Sequence, residues 1–136
     1  MDYGRMGKIS GFVSGGGGGG GSDVDDKVFT EIPYNAITIY INHPNLDIGY
    51  IHLVNGGHPV IDINLVGYPG KILTLLLIQG SAGNSLVSFS GIFRFPTCLP
   101  SPVLTPVPNA TDYITFMHNY ASNLYDCIGF VNGFTV

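Results

Sequence analysis

From Lys27 to the C-terminus, no eleven-residue window keeps the 3.6-residue apolar period of a helix; short runs of β-favouring residues are instead cut by Gly, Pro and Asn. A chain punctuated this way has to bury its apolar side chains in sheets. Ala36–Asn42 (AITIYIN) alternates, which predicts a half-buried strand with Ile37, Ile39 and Ile41 on one face and Thr38 and Tyr40 on the other. Ile48–Val54 predicts the next strand, Asn55-Gly56-Gly57 a tight hairpin turn, and Val60–Leu65 the returning strand. Gly67–Gly70 is a further turn, after which the apolar run Lys71–Gln79 suits the centre of a sheet. Leu86–Phe95 reads as a strand with Gly91 as a bulge. Pro96, Pro100, Pro102, Pro106 and Pro108 then impose an irregular connection, before strands at Asp112–His118 and Leu124–Val131 joined by Asn119–Asn123. About eight strands at this spacing predict an all-β domain, a single jelly roll, β-barrel or sandwich.

That domain is expected over 31–136, behind an extended Gly-rich arm over 1–30. The arm divides into an anchor (1–14), a linker (15–22) and an acidic segment (23–26). The linker holds seven consecutive glycines, Gly15, Gly16, Gly17, Gly18, Gly19, Gly20 and Gly21. Glycine loses more backbone entropy on ordering than any other residue, so such a run orders only where something holds it. Ahead of it, Arg5, Met6, Lys8, Ile9, Phe12 and Val13 make a mixed apolar and basic patch suited to docking on another protein.

Charged residues are 10% of the chain and hydrophobic ones 45%, with a mean hydropathy of +0.31. An ordinary soluble domain carries about 25% charged residues, so part of this surface is expected to be covered. The longest apolar run, Ile72–Ile78, is far short of the roughly 20 residues of a spanning helix, which argues against a membrane. Net charge is −4 with only five Lys and Arg, so no nucleic-acid partner is expected. MDYGRMGKIS lacks the apolar core of a secretory leader, and assembly in the cytoplasm is expected.

Chemistry-bearing residues are scattered. His52 and His58 flank the Asn55-Gly56-Gly57 turn, yet nothing fixes the further ligands a metal would need. Glu31, Asp47, Asp62, Asp112 and Asp126 cannot be paired into an acid–base couple, and the glycine run lacks the Lys-Ser/Thr of a phosphate loop. No catalytic residue, metal site or cofactor is therefore expected. Cys98 and Cys127 read as small buried hydrophobes, a single bridge being the alternative.

The order of elements after Ala36 resembles a domain of tailed-bacteriophage virion structural proteins of the tail-fibre or head-fibre kind. The elements are ILTLLLIQG (Ile72–Gly80), FPTCLPSPVLTPVP (Phe95–Pro108), NATDYITF (Asn109–Phe116) and YDCIGFVNGF (Tyr125–Phe134). Phe95-Pro96 stands where that family carries Trp-Pro, as this chain has no Trp. Asn109, Asp112, Phe116, Gly129 and Phe134 fall in the later elements, Asp112 as a cap of a turn or strand start. The resemblance implies a compact trimeric β domain on a virus particle. The resulting expectation is a non-enzymatic virion protein, a capsid decoration, cement or head-fibre component. It would be homotrimeric and held to the major capsid or another virion protein by its N-terminal arm. The alternative is a tail-fibre adhesin module that recognises a host glycan through Tyr50, Tyr68, Tyr120 and Tyr125.

Overall fold

The structure, a computed structural model, describes residues 29–135. Among these the chain forms nine strands and no helix. They are β1 (Phe29–Glu31), β2 (Thr38–Ile41), β3 (Ile48–His52), β4 (Val60–Ile63), β5 (Ile72–Ile78), β6 (Ser88–Phe89), β7 (Phe93–Arg94), β8 (Thr111–Asn119) and β9 (Leu124–Phe134). A six-stranded sheet has the order β1-β3-β5-β8-β9-β7, and a three-stranded sheet the order β2-β4-β6. The domain is all-β and made of two sheets, as expected.

The connectivity is not that of a jelly roll or an up-and-down barrel, whose strands pair antiparallel. Up to β6 the chain alternates between the sheets, and each strand pairs parallel with the strand two places on. Each pair of strands is thus one turn of a wide coil, and three coils stack. Phe29 lies opposite Ile48, and Ile48 opposite Thr74, so successive coils advance the chain by 19 and 26 residues. β8 then runs antiparallel along the whole of β5, β9 returns beside β8, and the short β7 pairs parallel with β9 as the edge of the larger sheet. β5 lies between β3 and β8, the interior position its apolar sequence requires.

The Asn55-Gly56-Gly57 turn forms, with Gly56 at φ +71°, but it does not make a hairpin. It carries the chain from β3 in one sheet to β4 in the other. The flanking hydrogen bonds explain why: Leu53 N–H donates to Ile78 O at 2.8 Å and Leu86 N–H to Gly57 O at 2.8 Å, so this stretch is bonded to the next coil. Gly80–Gly83 turns in the same way beneath it, with Gly83 at φ +69°, and Asn55 Oδ1 accepts the Ala82 N–H at 3.0 Å. A Cβ on Gly80 would fall 2.2 Å from that oxygen, so any larger residue there would push the Asn55 side chain off the Ala82 N–H.

Three local expectations change. Ile37 is 78% exposed instead of facing the core, because Asn35 Oδ1 accepts the N–H groups of both Ile37 and Thr38 and turns the chain before β2 begins. Leu86–Phe95 is not one bulged strand. Gly91 lies in the crossover between β6 and β7, which belong to different sheets, and Phe93 N–H closes the turn on Ser90 O at 3.1 Å. β1 begins at Phe29, on the arm side of the expected boundary, since Phe29 already pairs with Ile48.

Between the sheets, Ile39, Ile41 and Ile61 meet Ile51, Leu75, Leu77 and Ile114. At one end Phe93 and Phe116 lie 4.6 Å apart, with Phe89 at 5.3 Å from Phe93 and Phe95 at 5.4 Å from Phe89. Apolar burial of this kind is worth roughly 25 cal/mol per Å² and is the main force holding the sheets together.

Candidate interaction face

Strand alternation sends one set of side chains inward and leaves the other on the outer face of the six-stranded sheet. The registers align the outward set in rows. One row is Tyr50, Leu76, Tyr113 and Val131; the next is Ile48, Thr74, Thr115 and Gly129; a third is His52, Ile78, Thr111 and Phe134. Val131 and Phe134 are each more than half exposed. Leu76 differs from every other outward residue: it is 1% exposed yet belongs to no part of the inter-sheet core. Its register neighbours Tyr50 and Tyr113 flank it, and Phe29, Tyr50, His52, Leu76 and Ile78 line a shallow apolar depression. Edge-to-face ring contacts fix the larger side chains, Tyr50 to His52 at 5.6 Å and Tyr113 to Phe134 at 5.4 Å. Thr74 and Thr115 bond to each other through their hydroxyls at 3.1 Å, which gives each hydroxyl one partner within the face.

Charges on the outer face of this sheet sit at its margins. Glu31 lies on the edge strand β1. At the opposite corner Arg94 forms a two-pronged pair with Asp126, Nε to Oδ1 at 2.7 Å and Nη2 to Oδ2 at 2.9 Å. The Arg94 hydrogen bonds and then that of Asn119 hold the Asp126 carboxyl below its usual range, and the carboxylate raises Arg94 in turn. Near the start of β5, Lys71 pairs with Asp47 and lies 5.7 Å from the Tyr68 ring centre. An apolar centre with a charged rim is the anatomy of a protein–protein contact.

Other residues singled out in the sequence take structural positions. Asp112 is buried and acts as a cap: its carboxylate accepts the N–H groups of Thr105 at 2.7 Å and Gly133 at 2.9 Å, tying the proline-rich connection to the end of β9. Asn109 takes φ +62° and donates its N–H to Gly80 O at 3.1 Å. Pro96 O closes a turn on Leu99 N–H, Phe95 and Phe116 meet at 6.0 Å in the aromatic cluster, and Gly129 faces Thr115 beside a register shift. His52 and His58 are not cross-strand partners, because β3 and β4 lie in different sheets; His58 Nε2 is 2.9 Å from Ser88 Oγ. The tyrosines do not form one sugar-stacking surface: Tyr125 is buried under His118, with ring centres 4.8 Å apart, while Tyr50 lies on the sheet face and Tyr68 and Tyr120 in loops. Cys98 is exposed and Cys127 buried, with no bridge between them, and burial pushes the Cys127 thiol up. Arg5, Met6, Lys8, Ile9, Phe12, Val13 and the glycines of the linker lie outside the described residues.

The outer face is the one grouping that the sequence did not single out. Its signal was present in β5: Ile72, Leu76 and Ile78 are apolar at the positions that alternate with Leu73, Leu75 and Leu77. A strand apolar on both faces has two surfaces to cover. No protein-family model matches this chain, and neither does any curated protein or solved structure.

Proposed function

We propose that this protein is a non-enzymatic structural subunit of a bacteriophage particle, a homotrimeric decoration or head-fibre component whose N-terminal arm attaches it to neighbouring virion proteins. The observation that carries the structural role is the apolar outer face of the six-stranded sheet, whose charged groups stand only at its rim. Burying it against sister copies would account for how little charge the whole chain carries. The virion assignment rests on the resemblance of the elements between Ile72 and Phe134 to phage fibre domains.

Sedimentation of the full chain tests the assembly. Three copies per particle are expected across a wide concentration range, and a permanent monomer overturns the reading. A chain lacking residues 1–22 is expected to fold but to be left out of assembled particles. Normal incorporation of that chain would remove the arm from the mechanism.

A further inference from the structure

We propose that two copies of this chain join edge to edge through β2, antiparallel about a two-fold axis at Tyr40, so that their three-stranded sheets form one continuous sheet. This contact is separate from the outer face of the six-stranded sheet and goes beyond the assembly proposed above. It needs no trimer, and where trimers form it links one to the next.

β2 is a terminal strand of the three-stranded sheet. Val60 N–H donates to Ile37 O and Asn64 N–H to Ile41 O, so the odd-numbered residues direct their backbone groups to β4. Those of Thr38, Tyr40 and Asn42 therefore point away from the sheet. Asn35 Oδ1 accepts the Thr38 N–H at 3.1 Å. The Thr38 carbonyl, both backbone groups of Tyr40 and the Asn42 N–H have no partner among the described residues. Such edges are normally blocked by Pro, by charged side chains or by a bulge. β2 (TIYI) contains no Pro and pairs with β4 without a bulge, and from Ile32 to Leu46 there is no Lys, Arg, Asp or Glu. Apolar side chains stand there instead, Ile37 at 78% and Tyr40 at 49% exposure.

The other edges are poorer partners. β1 has three residues, β6 two, and β7 two with the Arg94–Asp126 pair across it. β2, with four, is the longest edge, and the strand that matches its outward groups is a second β2. With Tyr40 opposite Tyr40, each Tyr40 N–H reaches the other copy's Tyr40 carbonyl, and each Asn42 N–H the other copy's Thr38 carbonyl. Thr38 N–H keeps its bond to Asn35. Ile39 falls opposite the other copy's Ile41, so the inner apolar row continues across the join, while the two Tyr40 rings meet on the outer face. An isologous contact of this kind brings no unlike surfaces together and, here, no like charges. One short strand buries less than a stable interface does, so the contact leaves the trimer count undisturbed at micromolar concentration and forms where copies are crowded side by side.

The test is amide hydrogen exchange of the full chain, read residue by residue at about 10 μM and about 1 mM. Exchange at Tyr40 and Asn42 is expected to slow about fivefold or more at the higher concentration, while Ile39 and Ile41, bonded to β4, stay protected at both. Free exchange of Tyr40 at both concentrations overturns the proposal, and so does equal protection at both, which would place its own chain on the edge. In Tyr40→Lys, which sets two ammonium groups side by side, the concentration dependence at Asn42 is expected to vanish; its persistence overturns the pairing. A second measurement checks the register in a Cys98→Ser background. Tyr40→Cys treated with a short bis-maleimide is expected to give several times more interchain product than Val103→Cys, at a position 73% exposed, and equal yields overturn the pairing. Ile78→Lys, placed on the larger face, is expected to lose the trimer and keep the concentration dependence at Tyr40; loss of both overturns the edge contact. A wild type that never trimerises yet protects Tyr40 on concentration leaves this contact standing and removes the trimer.

Discussion

On the outer face of the three-stranded sheet the polar groups bond to one another: Ser90 Oγ donates to Asp62 Oδ1 at 2.7 Å, and Ser88 Oγ lies 2.9 Å from His58 Nε2. On the outer face of the six-stranded sheet Ile48, Tyr50, Leu76, Ile78, Tyr113, Val131 and Phe134 outnumber the polar Thr74, Thr111, Thr115 and His52. Both faces belong to strands that share one core, so packing inside the domain does not dictate the difference. The smaller face holds Val60 and Tyr40 beside Thr38, Asp62 and Ser88, so its apolar groups are interspersed with polar ones, of which Asp62 and Ser88 already have partners. An apolar face of this extent loses free energy for every Å² it shows to water, roughly 25 cal/mol, and gains it back only when covered.

The largest expected effect follows from placing the same charge on each face. Ile78→Lys puts an ammonium among apolar rows and is expected to weaken self-association by about a thousandfold, or roughly 4 kcal/mol. Ser88→Lys on the smaller sheet, where Asp62 is a near neighbour, is expected to leave it within about twofold. Sedimentation equilibrium of the two variants decides the matter, and equal behaviour would erase the distinction between the faces.

A smaller effect separates the faces within one folded subunit. Leu76 is the outward residue buried as deeply as the core, so Leu76→Ala is expected to cost about 2–3 kcal/mol in urea unfolding. Asp62→Ala on the other sheet loses hydrogen bonds from Ser90 and from the Ile63 N–H, and is expected to cost about 1 kcal/mol. A Leu76→Ala cost no greater than that of Asp62→Ala would mean that the Tyr50 and Tyr113 rings give Leu76 no cover.

The positions of the strands were legible in the sequence because alternation and turn residues are local signals. The partner of each strand was not. Asn55-Gly56-Gly57 turns the chain equally well in a hairpin and in a crossover, and what separates the two is where the N–H groups of Leu53 and Leu86 go, a contact with residues far along the chain. Parallel pairing of β3 with β5 leaves no mark in either strand alone. The Asp112 cap was readable, since an acid at a strand start has few uses; the meeting of Phe95 with Phe116 was not, because it joins residues far apart in the chain. The apolar face was half readable: scarcity of charge raised the expectation of a covered surface, but both sheets alternate, and only the register shows that the apolar outward residues of β3, β5, β8 and β9 fall side by side.

The smallest effect concerns where the apolar face ends. Asp126 is held ionised first by the Arg94 hydrogen bonds and then by that of Asn119, so its folded-state pKa lies below the unfolded value near 4. A depressed carboxylate contributes stability that is complete above the unfolded value and is lost as pH falls through the folded one. The wild type is therefore expected to lose slightly more stability than Asp126→Asn on acidification below about pH 4, read from urea midpoints. Arg94 is half exposed, so the contribution is small and screened by salt if this corner is a wet rim. Should sister copies bury the corner instead, the acid-side difference would persist in high salt, and the boundary between apolar centre and polar margin would have to be moved beyond β7.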